Sequence, residues 1–180
     1  MNFFIVLAAF FCTFFPSEAY KEKISWNEKR ALTWQDFKGK PQSDADFVAS
    51  TNSGMSFSFS YSEKNGKRSM EYSVVCNFYP QESWYKPGHV SEYILKHEQT
   101  HFDISELHAR KLRKRMDETS FSKNVKKEVE ALYQQTEHER RQMQNDYDFE
   151  SDHSKNKEGE YRWRAKVAQE LKKYERWKST

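Results

Sequence analysis

The 180 residues suffice for about one domain. Thirty Lys and Arg stand against 27 Asp and Glu, a net charge of +3 that is too balanced for a dedicated nucleic-acid binder. The basic stretches Ala109–Arg115 and Ser122–Lys127 are interleaved with or close to acids and read as solvated helix faces.

The chain opens with an apolar run over residues 3–15, broken only by Thr13, followed by Pro16 and Ser17-Glu18-Ala19. Small residues at Ser17 and Ala19 suit cleavage after Ala19, so residues 1–19 read as a signal peptide and 20–180 as one domain. The run falls short of the roughly 20 residues that span a bilayer. The expectation is a secreted or periplasmic protein with no stable membrane insertion after cleavage. Cleavage would remove Glu18 and no cation, moving the net charge from +3 to +4. It would also remove Cys12 and leave Cys76, so no internal disulfide forms and the core, a metal, or both must hold the fold. Cys76, inside an apolar strand pattern, reads as a buried inert thiol.

From about Ala31 to Phe78 the texture is that of strands, with a Trp- and Phe-bearing turn region over 32–41. Met55, Phe57, Phe59 and Tyr61 alternate with serines, Asn65-Gly66 signals a tight hairpin, and Met70, Tyr72, Val74, Cys76 and Phe78 return on one face. Such a hairpin needs a helix to cover it. Pro87-Gly88 then break the chain, and Ser91 caps a helix that runs to about Met116. A second helix begins near Ser122, with Val125, Val129, Leu132, Thr136, Met143 and Tyr147 on its apolar face. A third covers about Glu158 to Trp177, with Trp163, Val167 and Leu171 inward. Residues 145–159 between them read as an irregular polar loop. Hairpin followed by helices makes the fold α+β: a small antiparallel sheet packed on a zincin-like helix and two further helices.

The first helix carries His97-Glu98-Gln99-Thr100-His101, an HExxH pattern. Residues four apart on a helix lie about 40° apart, one turn above each other. His97 and His101 can therefore offer imidazole nitrogens to one zinc ion. Glu98 sits about 60° around from His101, offset from the coordination sphere yet within reach of a metal-activated water, the place of a general base. Both histidines lie with Ile94, Ile104 and His108 in a sector of about 80°.

The third ligand is open at this level. His108 shares the sector but stands about 10.5 Å along the axis from His101, which makes it a core residue or a support for a ligand. Glu139 falls on the apolar face of the second helix, either as a ligand or paired with a nearby cation such as Arg140 or Arg141. His138 points away and is solvated. The following segment adds Asp148, Glu150, Asp152 and His153. Spacing does not rank His153 above Glu139.

The stretches 32–41, 82–88, 94–113 and 147–167 resemble a bacterial family of unknown function, numbered 922, whose members are described as secreted zinc-dependent proteases. The family's loop is Tyr-Asp-x-x-Thr-x-His followed by Gly or Ser, with a later Gln three residues before a Trp. Here those positions hold Tyr147, Asp148, Ser151, His153, Ser154, Glu160 and Trp163, with Ser for Thr and Glu for Gln. The resemblance implies His153 as third ligand, beside His97 and His101, with Tyr147 or Tyr161 as candidates for oxyanion stabilisation. The expected function is thus an exported zinc peptidase acting on a peptide or protein, with Glu98 as general base. The alternatives are a non-catalytic zinc-stabilised envelope binding protein, in which Asp148 or Glu150 closes the coordination, and a metal-dependent amidase acting on the cell wall.

Overall fold

In a computed structural model the described residues are 22–65 and 67–179. The segment read as a signal peptide lies outside them. Strands β1 (Ile24–Ser25), β3 (Ser53–Lys64) and β4 (Lys67–Phe78) form an antiparallel sheet in the order β1-β4-β3. Strands β2 (Ala49–Ser50) and β5 (Trp84–Tyr85) form a second, two-stranded antiparallel sheet. Three helices follow: α1 (Glu92–Glu118), α2 (Val125–Ser151) and α3 (Lys157–Lys173). This is an α+β fold with a small antiparallel sheet and three helices, as expected. Among the described residues no helix is long and apolar enough to cross a membrane.

The β3–β4 hairpin follows its alternation. Met55 faces Cys76, Phe57 faces Val74, Phe59 faces Tyr72 and Tyr61 faces Met70. These cross-strand pairs turn one apolar face to the helices. The turn begins at Asn65, at φ 53°, the left-handed region that a two-residue hairpin turn requires. Cys76 is 1% exposed, and burial pushes its thiol pKa well up, as an inert core thiol demands.

Helix α1 begins where Ser91 Oγ accepts from the Ile94 amide. It is buried around nearly its whole circumference from His97 to Arg113, not along one stripe. One side, with Phe102, Ala109 and Leu112, packs on the sheet core of Met55, Val74 and Phe78. The opposite side, through Ile104, meets Tyr147 of α2 and Trp163 and Val167 of α3 in a second cluster. Two guanidiniums that this buries are paired: Arg110 Nε lies 3.0 Å from Glu106 Oε1, and Arg113 donates to the Val74 carbonyl at 2.8 and 3.1 Å. The Glu106–Arg110 pair, four residues apart on the helix, thus lies in the interior.

Three boundaries differ from the sequence reading. The turn region expected over 32–41 is present as a short 3₁₀ turn, Trp34–Asp36, but residues 42–48 hold no strand, so the strand texture resumes only at Ala49. Asp36 fixes that turn by accepting from the Thr33 amide at 2.8 Å and from Arg30 at 2.6 Å. Trp34 and Phe37 enter the core singly from this turn. Helix α3 stops at Lys173 and passes into a 3₁₀ turn, Glu175–Trp177. The most consequential change is at residues 145–151, which continue α2 as helix instead of forming a loop. Of their polar side chains, Asn145 and Asp148 face a cavity, and Glu150 pairs with Arg162 and Trp163 on α3.

His108 is 1% exposed, and its Nδ1 donates to the Ile104 carbonyl at 2.9 Å. Burial lowers its pKa from 6.5 to about 4. The unfolded chain therefore binds this proton more tightly, and the stability it contributes is complete above pH 6.5 and lost as pH falls toward 4. From pH 7 to pH 5 the loss is about 2 kcal/mol. Urea denaturation should show the stability gap between wild type and His108→Gln narrowing by that amount over this range. A gap independent of pH would refute it.

Candidate metal centre

The second turn of α1 and the penultimate turn of α2 bring three donor atoms together. His97 Nε2 and His101 Nε2 lie 3.2 Å apart. Asp148 Oδ1 lies 3.3 Å from the first and 3.0 Å from the second. Donors bonded to one tetrahedral ion at about 2.0–2.1 Å stand about 3.3–3.4 Å apart, so this triangle has the size of one face of such a coordination shell. These three residues form a cluster that could hold a metal ion. Two imidazoles and a carboxylate suit a divalent transition ion, zinc included.

Both imidazoles are oriented from behind. His97 Nδ1 lies 2.9 Å from Glu160 Oε2, and His101 Nδ1 hydrogen-bonds Gln144 Oε1. With acceptors at both Nδ1 atoms, each ring carries its proton there and turns a free Nε2 to the cluster, the arrangement that orients metal-binding histidines. Gln144 is itself held by donating to the His101 carbonyl at 2.9 Å. Glu160, with 0% exposure, also accepts from Tyr147 Oη at 2.7 Å and Arg164 Nε at 2.6 Å.

The electrostatics favour positive charge at this point. Burial pushes the His97 pKa down, but the carboxylates of Asp148 and Glu160 outweigh it and bring it up to about 9. Burial pushes Asp148 up, and the imidazoles of His101 and His97 more than offset it, holding the carboxyl well below the usual range. Glu160 is likewise lowered: burial raises it, and His97 and Tyr147 outweigh that.

Glu98 is 3% exposed, and its Oε2 has no hydrogen-bond partner among the described residues. A buried carboxylate oxygen without a donor is costly and calls for a ligand or water opposite it. It borders a cavity of about 540 Å³ that also exposes His97, His101 and Asp148. The donor set, its orientation and this oxygen all fit a metal with a water beside it.

Of the residues singled out in the sequence, His97, Glu98 and His101 meet at this cavity. His153 lies at its rim, past the end of α2 in a run of three left-handed residues, Asp152, His153 and Ser154. Its Nδ1 is 3.5 Å from Asp148 Oδ1, its side chain is 46% exposed, and its ring stacks on Phe47 at 5.6 Å. Glu139 does not join the site. It forms an ion pair with Arg115 at 2.7 Å and stands nine residues, about 13.5 Å, before Asp148 on α2. Glu150 turns instead to Arg162 and Trp163, each at 2.9 Å. Tyr147 sits behind His97 on Glu160, and Tyr161 is 58% exposed; neither lines the cavity. Their expected oxyanion role is therefore not supported, because the hydroxyl of Tyr147 is engaged and Tyr161 is outside. His108 and His138 are, as expected, a core residue and an exposed one.

Asp148 is the residue that the spacing undervalued. Its signal is Gln144 and Asp148 at i and i+4, one supporting His101 and the other facing it, legible only once α2 is extended through Ser151. Arg164 was not singled out at all, and Glu160 only as a position in the resemblance.

A family model described as Bacterial protein of unknown function (DUF922) matches residues 27–154. No curated protein and no solved structure matches the chain. The matched range holds the three clustered donors, Glu98 and His153, and ends before Glu160.

Glu160→Ala removes the acceptor of three buried donors at once. It should destabilise the chain by about 3–5 kcal/mol, and Glu160→Gln, which keeps an acceptor oxygen, by about 1–3 kcal/mol. Chemical denaturation without added metal reads both. A Glu160→Ala midpoint equal to wild type would contradict the network.

Proposed function

The chain belongs to this family of bacterial proteins of unknown function, and we propose that it is an exported zinc-dependent peptidase using Glu98 as general base. The observation that carries the reading is the unpartnered, buried Glu98 oxygen on the cavity that exposes His97, His101 and Asp148. His97, His101 and Asp148 would hold the ion. Asp148 is preferred to His153 because its Oδ1 approaches both Nε2 atoms, whereas His153 meets only Asp148, at 3.5 Å, and is outside the gathered donors. Export rests on the apolar N-terminal run with its small residues before Ala19.

A bound zinc ion would supply Lewis acidity and bring a water's pKa to near neutrality. The residues of the chain do the rest. Glu98 accepts the proton of the attacking water as its oxygen bonds to the substrate carbonyl carbon. The same carboxyl then returns that proton to the departing amine nitrogen as the carbon–nitrogen bond breaks. Glu160 and Gln144 keep the two imidazoles fixed through these steps, so little reorganisation is required of the site. A structural zinc site would need a fourth protein ligand, and His153, outside the three gathered donors, would have to move in from the rim to supply it.

Two measurements test this. Elemental analysis of the purified chain should give about one zinc in wild type, in Glu139→Ala and in His153→Ala, and none in His97→Ala or Asp148→Ala. Zinc lost with His153→Ala and kept with Asp148→Ala would reverse the ligand assignment. Separately, Glu98→Gln should keep its zinc while peptide hydrolysis falls by about 10²–10⁴-fold; unchanged hydrolysis would remove Glu98 from the mechanism.

A further inference from the structure

The peptidase reading leaves the substrate open, and a substrate preference inferred from the cavity walls rests on that reading. On α2, Arg141, Gln144, Asn145 and Asp148 stand at i, i+3, i+4 and i+7, one face of a helix, and all four line the cavity. Asp148 belongs to the ligand cluster, so Arg141 is two turns, about 10.5 Å, away along the axis. Arg140 and Arg141 are the lysine or arginine side chains that line this cavity among the described residues.

The two guanidiniums share one carboxylate. Arg140 reaches Glu137 Oε1 and Oε2 at 2.7 and 2.8 Å, and Arg141 Nε reaches Oε1 at 2.9 Å. Two formal positive charges against one negative leave this triad at +1. Arg140 is committed, with a side chain 12% exposed. Arg141 is 70% exposed, and with Nε on Glu137 its two Nη groups have no partner among the described residues. The carboxylates lining the cavity do not answer it: Glu98 and Asp148 are at the cluster, and Glu82 accepts from Asn52 Nδ2 at 2.8 Å.

The other end of the cavity, past the end of α2, is aromatic. His153 stacks on Phe47 at 5.6 Å, and Phe47 on Trp84 at 5.5 Å. The ligand cluster thus lies between a cationic fork and a wall of stacked rings. The geometry points to an extended peptide that carries a carboxylate within about three residues of the cleaved bond on one side, bound by Arg141, and an aromatic or bulky apolar side chain on the other, bound by Phe47 and Trp84. The span of three residues comes from 10.5 Å at about 3.3 Å per extended residue. Bidentate guanidinium–carboxylate pairing and ring stacking are the two recognitions involved. The carboxylate is either an acidic side chain or the free C-terminus of the peptide.

The test uses the mature chain loaded with zinc and internally quenched peptides that differ at one position, Asp, Asn or Lys, with Phe or Ala across the bond. Free-acid and amidated versions separate the two sources of carboxylate. Wild type should cleave the Asp/Phe peptide at least tenfold more efficiently than its Lys or Ala counterparts, and Arg141→Glu should invert the preference between Asp and Lys. In parallel, fluorescence anisotropy with zinc-loaded Glu98→Gln should show at least tenfold weaker binding of the Asp/Phe peptide when Arg141→Glu or Phe47→Ala is added. Cleavage without regard to charge, or an unaltered preference in Arg141→Glu, overturns the groove and leaves the peptidase standing. Arg141-dependent binding with no hydrolysis by wild type overturns the peptidase and leaves the groove. Absence of both binding and hydrolysis overturns the groove as well.

Discussion

The buried carboxylate of Glu160 accepts from His97 on α1, Tyr147 on α2 and Arg164 one turn along α3. A charge with no solvent exposure costs several kcal/mol unless donors replace its water, and here three donors on three helices do so. The consequence is coupling. The bond that docks α3 is the bond that orients the His97 ring, so the helices cannot shift without moving a candidate ligand. Gly159 makes the approach possible: a Cβ there would stand 2.3 Å from the Glu150 carbonyl oxygen, and any side chain would push the first turn of α3 off the end of α2.

Helix α1 is built for the same purpose at larger scale. Sheet core on one side and the α2–α3 cluster on the other leave it no free face over its middle turns. Its interior charges are resolved differently along its length. Glu106 and Glu98 each keep one buried oxygen without a partner among the described residues. The other oxygen of Glu106 is held by Arg110 and Arg113, and Glu106 lines neither large cavity. Glu98 borders the cavity of the ligand cluster. The same electrostatic irregularity is thus enclosed among guanidiniums near the middle of the helix and opens on the cavity near its start.

Local chemistry made much of this readable in advance. The hairpin follows from alternation and an Asn-Gly turn, and α1 from Ser91 and its periodicity, because both depend on neighbours in sequence. HExxH is legible for the same reason: one helical turn sets the His97–His101 spacing. The third donor is not local. Residues 145–151 look like loop because they are polar, yet they are helix, with Asn145 and Asp148 facing the cavity and Glu150 paired with α3. Glu139 does turn toward α1, as its place on the apolar face implied, but what it meets is Arg115. Nothing in the spacing of α2 distinguishes a carboxylate that finds a guanidinium from one that finds two imidazoles. The turn expected over 32–41 is, by contrast, local: Asp36 accepts from the Thr33 amide three residues back.

The identity of residue 160 has a further electrostatic meaning. The resemblance places a glutamine at this position, and either residue offers an oxygen to His97 Nδ1. Glutamate adds a charge. By formal count Asp148, Glu98 and Glu160 against Arg164 give −2 in and around the cluster, which one divalent cation brings to zero. A glutamine would leave the same shell at −1, and the occupied centre positive. A carboxylate behind the imidazole also makes the ring a stronger donor to the ion than an amide does. In this chain the charge that secures α3 against the other helices would therefore also match a dication held at the cluster, so that folding and metal affinity would draw on one side chain.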